Sequence, residues 1–340
     1  MDDPKPANAA APARRMTPSS IVRYLDQYMV GQEAAKKTVA VAVYSHYQKL
    51  AKAREAGLDI AKSNILLIGP TGSGKTLLCE TLSRGLGLPF VTADATSLAQ
   101  SKYVNEEIEA VLLRLLDRAD GNMAKAQRGI VFIDEIDKLK SSAGQIEGSA
   151  GVRVQHALLK IMEGSRIKLG GGRDIDTSDI LFIGGGAFVG LDKIAARSHS
   201  YGFISTSAGQ SQSVLDRLNA RTKPTDLIEF GLIPEFTGRL PIIARFGELS
   251  RDALAKIMVE PRNSIYQQFR EMLKHEGVEL CIEAPVFDQI AELASEYQVG
   301  ARSLRGIFEE MLSPVLYQLP DRPEIRRVLI RSLFEEALLE

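Results

Sequence analysis

Four residues have the types and spacing to move a phosphoryl group: Lys75, Thr76, Asp134 and Glu135. The first two close the run Gly69-Pro70-Thr71-Gly72-Ser73-Gly74-Lys75-Thr76, which fits the phosphate-binding pattern G-x-x-x-x-G-K-[ST]. Gly72 and Gly74 allow backbone angles that a Cβ would forbid, so successive N–H groups can turn inward around phosphate oxygens. Lys75 is expected to reach the β- and γ-phosphates, and the Thr76 hydroxyl to ligate Mg²⁺. Asp134 and Glu135 follow the apolar run Ile130-Val131-Phe132-Ile133. Asp134 suits the metal's coordination shell, and Glu135 suits orienting and deprotonating an attacking water. A chance glycine-rich turn and a solvated acidic strand end are the bland alternatives. Each motif argues against the bland reading of the other.

These groups need rigid elements to hold them. Asn64 to Ile68 reads as a buried strand, and Leu77 onward as a helix whose N-terminus adds its positive dipole end. Further strands are expected at 89–92, 130–133, 180–184 and 241–245, the last limited by Pro241 to a strand start or an edge. Residues 63–245 thus alternate strand and helix, as a doubly wound parallel sheet does. Residues 17–62 read as mainly helical, with Pro18 in a first turn and a long helix from Glu33 to Ala56. Beyond 250 the pattern changes. Helices are expected at 250–274, 285–297 and 301–318, and strands at 278–282 and 326–330, which makes a small α+β domain. The division expected is a tail over 1–16, a large α/β domain over 17–247 and a small domain over 248–340.

Bulk composition excludes several classes. The chain has 340 residues, 45% of them apolar, enough for two real cores. Its 42 basic and 43 acidic residues leave a net charge of −1, which gives no electrostatic case for nucleic acid or an anionic membrane. No apolar run reaches membrane-spanning length. Met1 to Arg15 reads as a disordered tail rather than a signal peptide. Cys79 and Cys281 form no C-x-x-C pair, so neither zinc nor a disulfide framework is expected. A cytoplasmic location follows.

The ordered series of longer strings resembles the AAA+ ATPases, and within them the ClpX family of protein unfoldases. The strings are Val30 to Lys37, Ser63 to Leu78, Ala124 to Lys138, Gly185-Gly186-Ala187-Phe188, Phe230 to Phe236 and Gly300-Ala301-Arg302. The resemblance runs from about Thr17 to about Ile330. It implies ATP and Mg²⁺ as cofactors, with Met29 and Val30 at the adenine and Gly69, Pro70, Thr71, Gly72, Ser73, Gly74, Lys75, Thr76, Leu77 and Asp134 around the phosphates and metal. It implies that Arg239 is a finger offered to a neighbour's ATP and that Arg302 senses the phosphates in cis. It also implies a homo-hexameric ring in which Tyr103 and Val104 grip unfolded or tagged protein substrates, with no peptidase activity of its own.

This chain also departs from the family pattern. No counterpart of the family's amino-terminal zinc-binding domain is expected here. Lys102 and Asn105 replace the glycines flanking the gripping pair. The second pore loop, about Gly144 to Val154, is short, and the basic pore-entrance loop shrinks to Gly170-Gly171-Gly172-Arg173. Tyr201-Gly202-Phe203 stands where the family docks the peptidase ClpP through Ile-Gly-Phe. A stand-alone remodelling ATPase is therefore one alternative, and a nucleic-acid-remodelling AAA+ ATPase a second. An HslU-type unfoldase is excluded because Lys138 to Gly151 is too short for its inserted domain.

Overall fold

The computed structural model describes residues 16–56, 62–141, 149–170, 172–200, 222–297 and 299–340. They pack as two compact units. One holds Thr38–Ile68 and Leu82–Ala244 with the residues up to Ser19, and the other holds Ser20–Lys37, Gly69–Thr81 and Arg245–Glu340. Packing thus does not follow chain order. Among the described residues no helix is long and apolar enough to cross a membrane.

The first unit is built on a five-stranded sheet. Its strands are β1 (Ile65–Ile68), β2 (Phe90–Asp94), β3 (Ile130–Asp134), β6 (Leu181–Gly186) and β7 (Ile242–Arg245), in the order β2-β3-β6-β1-β7. β1 and β6 are buried along their whole length, and β3 is buried up to its last residue. Continuous apolar runs of this kind suit parallel strands covered on both faces. The pairs β2–β3, β3–β6 and β6–β1 are indeed parallel. Asp94 lies in register with Asp134, and Ile68 with Gly186, so the C-terminal tips of these strands share one edge. The helix Val104–Arg118 covers the sheet with Ile108, Val111, Leu112, Leu115 and Leu116, a three-and-four spacing that makes one apolar stripe. Each fully buried aliphatic side chain contributes roughly 1.5–3 kcal/mol relative to exposure.

The five strands expected in this region all form, each within two residues of its expected ends. A small hairpin was not foreseen: β4 (Arg166–Leu169) and β5 (Arg173–Asp176) pair antiparallel. Its alternation is faint, because only Leu169 and Ile175 are buried. The short second pore loop is also corrected. Residues 150–154 belong to the helix Ala150–Glu163, with Val152 and Val154 in the core.

The carboxy-terminal part of the second unit has helices Arg251–Val259, Ile265–His275, Ala284–Glu296 and Arg302–Gln318. Its sheet, in the order β10-β9-β8, comprises β8 (Glu279–Ile282), β9 (Arg327–Ile330) and β10 (Leu338–Leu339). The helix expected over 250–274 is broken in two. Pro261 lacks the N–H needed to continue it, and Ser264 starts the next helix by accepting a hydrogen bond from Gln267 N at 3.3 Å. Pro314 lies inside its helix without ending it.

At the N-terminal edge of the main sheet, His46 is buried with its Nε2 3.2 Å from the Asp179 carbonyl oxygen. Burial lowers its pKa from 6.5 to about 4, against the raising effect of that hydrogen bond and with the help of the Lys62 charge. The unfolded chain therefore takes up the proton first. The neutral ring's contribution is complete above pH 6.5 and is lost as pH falls through 4, about 3 kcal/mol in all. Replacing the ring in His46→Gln is expected to flatten urea-unfolding stability between pH 6.5 and 4 relative to wild type. Parallel pH profiles for the two proteins would refute this assignment.

Candidate nucleotide site

The loop after β1 turns sharply. Gly72 and Gly74 have φ of +77° and +100°. A Cβ on Gly72 would sit 2.3 Å from the Val299 carbonyl oxygen, and one on Gly300 3.0 Å from that of Thr71. The two backbones therefore meet at a distance that only glycine allows. Ala301 N donates to Gly72 O at 3.3 Å across this contact. The next residue, Arg302, opens the long helix of the second unit and is exposed. The chain thus seats the turn before Arg302 directly on the phosphate-binding loop. A cavity of about 500 Å³ lies here, lined by Thr71, Gly72, Ser73, Leu249, Ala294 and Gly300 among others. A larger groove, about 790 Å³, lies against the helix Arg302–Gln318 and the tail that ends the chain. It lacks a phosphate-binding loop.

Lys75 is buried, and its ammonium donates to the carbonyl oxygens of Gly69 at 2.7 Å and Pro70 at 2.9 Å. The Ser73 hydroxyl is buried and has no hydrogen-bond partner among the described residues. Met29 is buried with its Cε 3.2 Å from where a Gly74 Cβ would stand, while Val30 is half-buried. Gln32 is an unforeseen member of this group. Its φ is +59°, strained for a side-chain-bearing residue. Its amide donates to Gly247 O at 2.9 Å and, more weakly, to Ser73 O at 3.4 Å, and its carbonyl accepts from Gly247 N at 2.9 Å. Buried Lys36 pairs with Asp26 and Glu33, which brackets the segment carrying Met29, Val30 and Gln32.

In the first unit, the tip of β3 carries the two carboxylates. Glu135 is exposed and left-handed, with φ +57° and ψ +31°. Its N–H donates to Asp134 Oδ1 at 2.9 Å, and its Oε2 accepts from Thr96 Oγ1 at 3.1 Å. Thr96 stands there because Asp94 ends β2 and caps the helix Ala95–Gln100, accepting from Thr96 N at 2.8 Å. Asp137 accepts from Phe188 N at 3.3 Å. A side chain on Gly186 would strike Asp137 Oδ1 at 2.4 Å, so β6 can approach only as glycine.

Arg239 ends the short helix Pro234–Gly238. Its Nε and one terminal nitrogen donate to Glu163 Oε1 at 2.9 and 2.7 Å. Tyr103 is 65% exposed at the start of the helix Val104–Arg118, with its N–H held by Ser101 Oγ at 3.1 Å. That exposure disfavours reading Tyr103 as a packing residue. Val104, by contrast, is partly buried against the core. Leu77 is 44% exposed. Tyr201, Gly202 and Phe203 lie outside the described residues.

The residues present fit a nucleoside triphosphate and its cation. The positive-φ glycines, the partnerless Ser73 hydroxyl and the ammonium beside two carbonyls form a cradle for an anion at a helix N-terminus. Thr76, one residue into that helix, offers a hard oxygen donor of the kind Mg²⁺ takes, and in the first unit Asp134 offers a donor of the same kind. Sequence reasoning named the residues that fit a short local pattern. It missed Gln32, Thr96 and Glu163, whose partners lie 39 to 215 positions away.

Comparison with known proteins agrees. Residues 60–243, more than half of the chain, match the family model of the AAA domain (Cdc48 subfamily). Residues 249–328 match that of the C-terminal, D2-small domain of ClpB protein. The ATP-dependent Clp protease ATP-binding subunit ClpX of Borrelia duttonii (strain Ly) is 43% identical over 96% of this chain and 80% of its own length. The subunit named ClpX 3 from Methylococcus capsulatus is 43% identical over 92% of this chain and 79% of its own. A glycine cradle, an acidic strand tip and this extent of identity lead to one conclusion: the chain is an AAA+ ATPase and belongs to the ClpX family.

Proposed function

We propose that the protein is an ATP-driven, ring-forming unfoldase and translocase that feeds polypeptides to a ClpP-type peptidase. Its large domain would span 17–247 and its small domain 248–340. The observation that carries this reading is Tyr103. It stands 65% exposed at the head of a core-anchored helix, at the position where the family resemblance puts the substrate-gripping aromatic. Its ring offers broad apolar contact without demanding a particular sequence. Unfolded polypeptide fits that chemistry.

When bound, ATP supplies the transferable phosphoryl group and Mg²⁺ neutralises its charge. The chain's own residues do the rest. Lys75 exchanges the carbonyls of Gly69 and Pro70 for phosphate oxygens. Glu135, held at its carboxylate by the Thr96 hydroxyl, accepts a proton from the attacking water. Arg302 approaches the phosphates from the turn seated on Gly72. Arg239 acts on the neighbouring subunit's site, where a guanidinium stabilises charge on the phosphoryl oxygens. That role makes assembly a condition of activity, and a homo-hexamer meets it.

Glu135→Gln is expected to keep ATP binding while lowering turnover about 10²–10⁴-fold, the range typical of a lost general base. Turnover within a few-fold of wild type would remove Glu135 from that role. Tyr103→Ala is expected to leave ATP hydrolysis intact and slow the unfolding of a tagged folded reporter several-fold. Equal unfolding rates would refute the gripping assignment. DNA-stimulated ATPase without stimulation by unfolded protein would instead favour a nucleic-acid remodeller.

The peptidase partner is tested by titrating ClpP with ATP present, using wild type and Tyr201→Ile. The tyrosine hydroxyl costs about 1–3 kcal/mol per site if buried unpaired, so the variant is expected to bind more tightly. Binding by neither protein would turn the assignment to a stand-alone remodelling ATPase.

A further inference from the structure

The helix Ala150–Glu163 ends on a carboxylate, which is the wrong charge for that end. A helix C-terminus carries partial negative charge and favours cations. Its last carbonyls are nonetheless satisfied with care. Ser165 Oγ donates to Lys160 O at 3.0 Å, Thr177 Oγ1 and Lys62 Nζ to Ile161 O at 2.8 and 3.2 Å, and Asn64 Nδ2 to Met162 O at 3.3 Å. These contacts fix the helix end that carries Glu163. The carboxylate then receives both Nε and a terminal nitrogen of Arg239. Asn64 Nδ2 also donates to the Arg239 carbonyl oxygen at 3.0 Å, so one buried amide holds the backbone of Arg239 and the platform of its side-chain partner.

Stability does not explain the arrangement. Glu163 and Arg239 are each about half-exposed, 46% and 49%, and such a pair contributes little to stability. It is also too weak to withhold a guanidinium from a phosphate that binds it more strongly. Its effect is orientation. It holds a long side chain in one rotamer against an immobile support, with part of the guanidinium's donors left over for another acceptor.

We infer that Glu163 is the positioning residue for Arg239, preorganising the guanidinium that each subunit presents to its neighbour's nucleotide. This rests on the proposed trans-acting role of Arg239. Glu163 is not among the residues that line the cavity at the phosphate-binding loop. Its loss therefore acts on the next subunit's turnover and leaves its own nucleotide affinity alone.

The test is steady-state ATPase on the full-length assembled protein. Glu163→Ala is expected to lower kcat about 5-fold, the factor that ~1 kcal/mol corresponds to, with KM and the thermal midpoint unchanged. Glu163→Gln keeps an acceptor oxygen and is expected to fall between Glu163→Ala and wild type. In the Arg239→Ala background, Glu163→Ala is expected to cause no further loss. In rings mixed with excess Glu135→Gln subunits, each Glu163→Ala subunit gains a neighbour with an intact Glu163–Arg239 pair. Its rate per Glu135-competent site is expected to return to the wild-type value. A rate that stays low in the mixture, or additive losses in the double variant, would overturn the inference while leaving the arginine's role standing. An Arg239→Ala protein with wild-type kcat would overturn the trans-acting reading itself, and the inference with it.

Discussion

Everything in the first unit that can do chemistry depends on the parallel register of four strands. β2, β3, β6 and β1 bring their C-terminal tips to one edge because each pair is hydrogen-bonded in the same direction, with Asp94 level with Asp134 and Ile68 level with Gly186. The register is held by burial. β1, β3 and β6 present apolar side chains to both faces, so a slip along the strand would cost on both sides at once. The glycines of β6 narrow the choice further. Gly184, Gly185 and Gly186 lie against Ile136, Phe132 and Asp137, at distances that would put any Cβ 2.4 to 2.6 Å from those side chains. The strand can sit beside β3 in this way only because it has no side chains there, and the position of Asp137 beneath Phe188 follows from it.

Local rules are broken at a few positions. Gln32 and Glu135 occupy the left-handed region without being glycine. Glu163 places an acid at a helix C-terminus. The backbone strain at Gln32 and Glu135 costs of order 1–3 kcal/mol per residue and persists only where the surroundings over-determine it, and the acid at the helix end costs about 0.3–1 kcal/mol. Those surroundings are visible for each. The Gln32 side chain makes a two-way bridge to Gly247, Glu135 is tied to Asp134 and Thr96, and Glu163 is tied to Arg239. Natural sequences tolerate such conflicts at functional positions more than elsewhere.

The main strands and the phosphate-binding loop were legible in the sequence because their signals are local. Apolar runs of four to six residues and a spaced Gly-Lys-Thr need no knowledge of distant partners. The break at Pro261 was legible in principle, since a proline inside a helix removes a backbone hydrogen bond and disfavours its continuation, but the apolar period carried the reading across it. The hairpin β4–β5 was illegible because its strands are mostly charged and only two of its side chains are buried. The supporting residues were hidden for another reason. Thr96, Asn64 and Glu163 acquire meaning from partners brought near by the fold, and nothing in their own sequence neighbourhoods marks them.

Buried amides show how such distant partners are specified. Gln155 is fully buried in the helix Ala150–Glu163. It donates to Leu139 O at 2.8 Å and accepts from Ile233 N at 2.8 Å. Leu139 ends the short helix that begins just after Glu135, and Ile233 caps the helix that leads to Arg239. Asn64 does the same between β6, Met162 and Arg239. An apolar side chain at either position would leave two or more backbone groups unpaired, each costing about 1–3 kcal/mol. Hydrophobic packing alone would allow the helix to slide or rotate by small amounts at little cost. The amides do not, because their donors and acceptors are satisfied only in one arrangement. The segment that follows Glu135 and the segment that ends in Arg239 are therefore indexed to the same helix, and a displacement of that helix is felt at both.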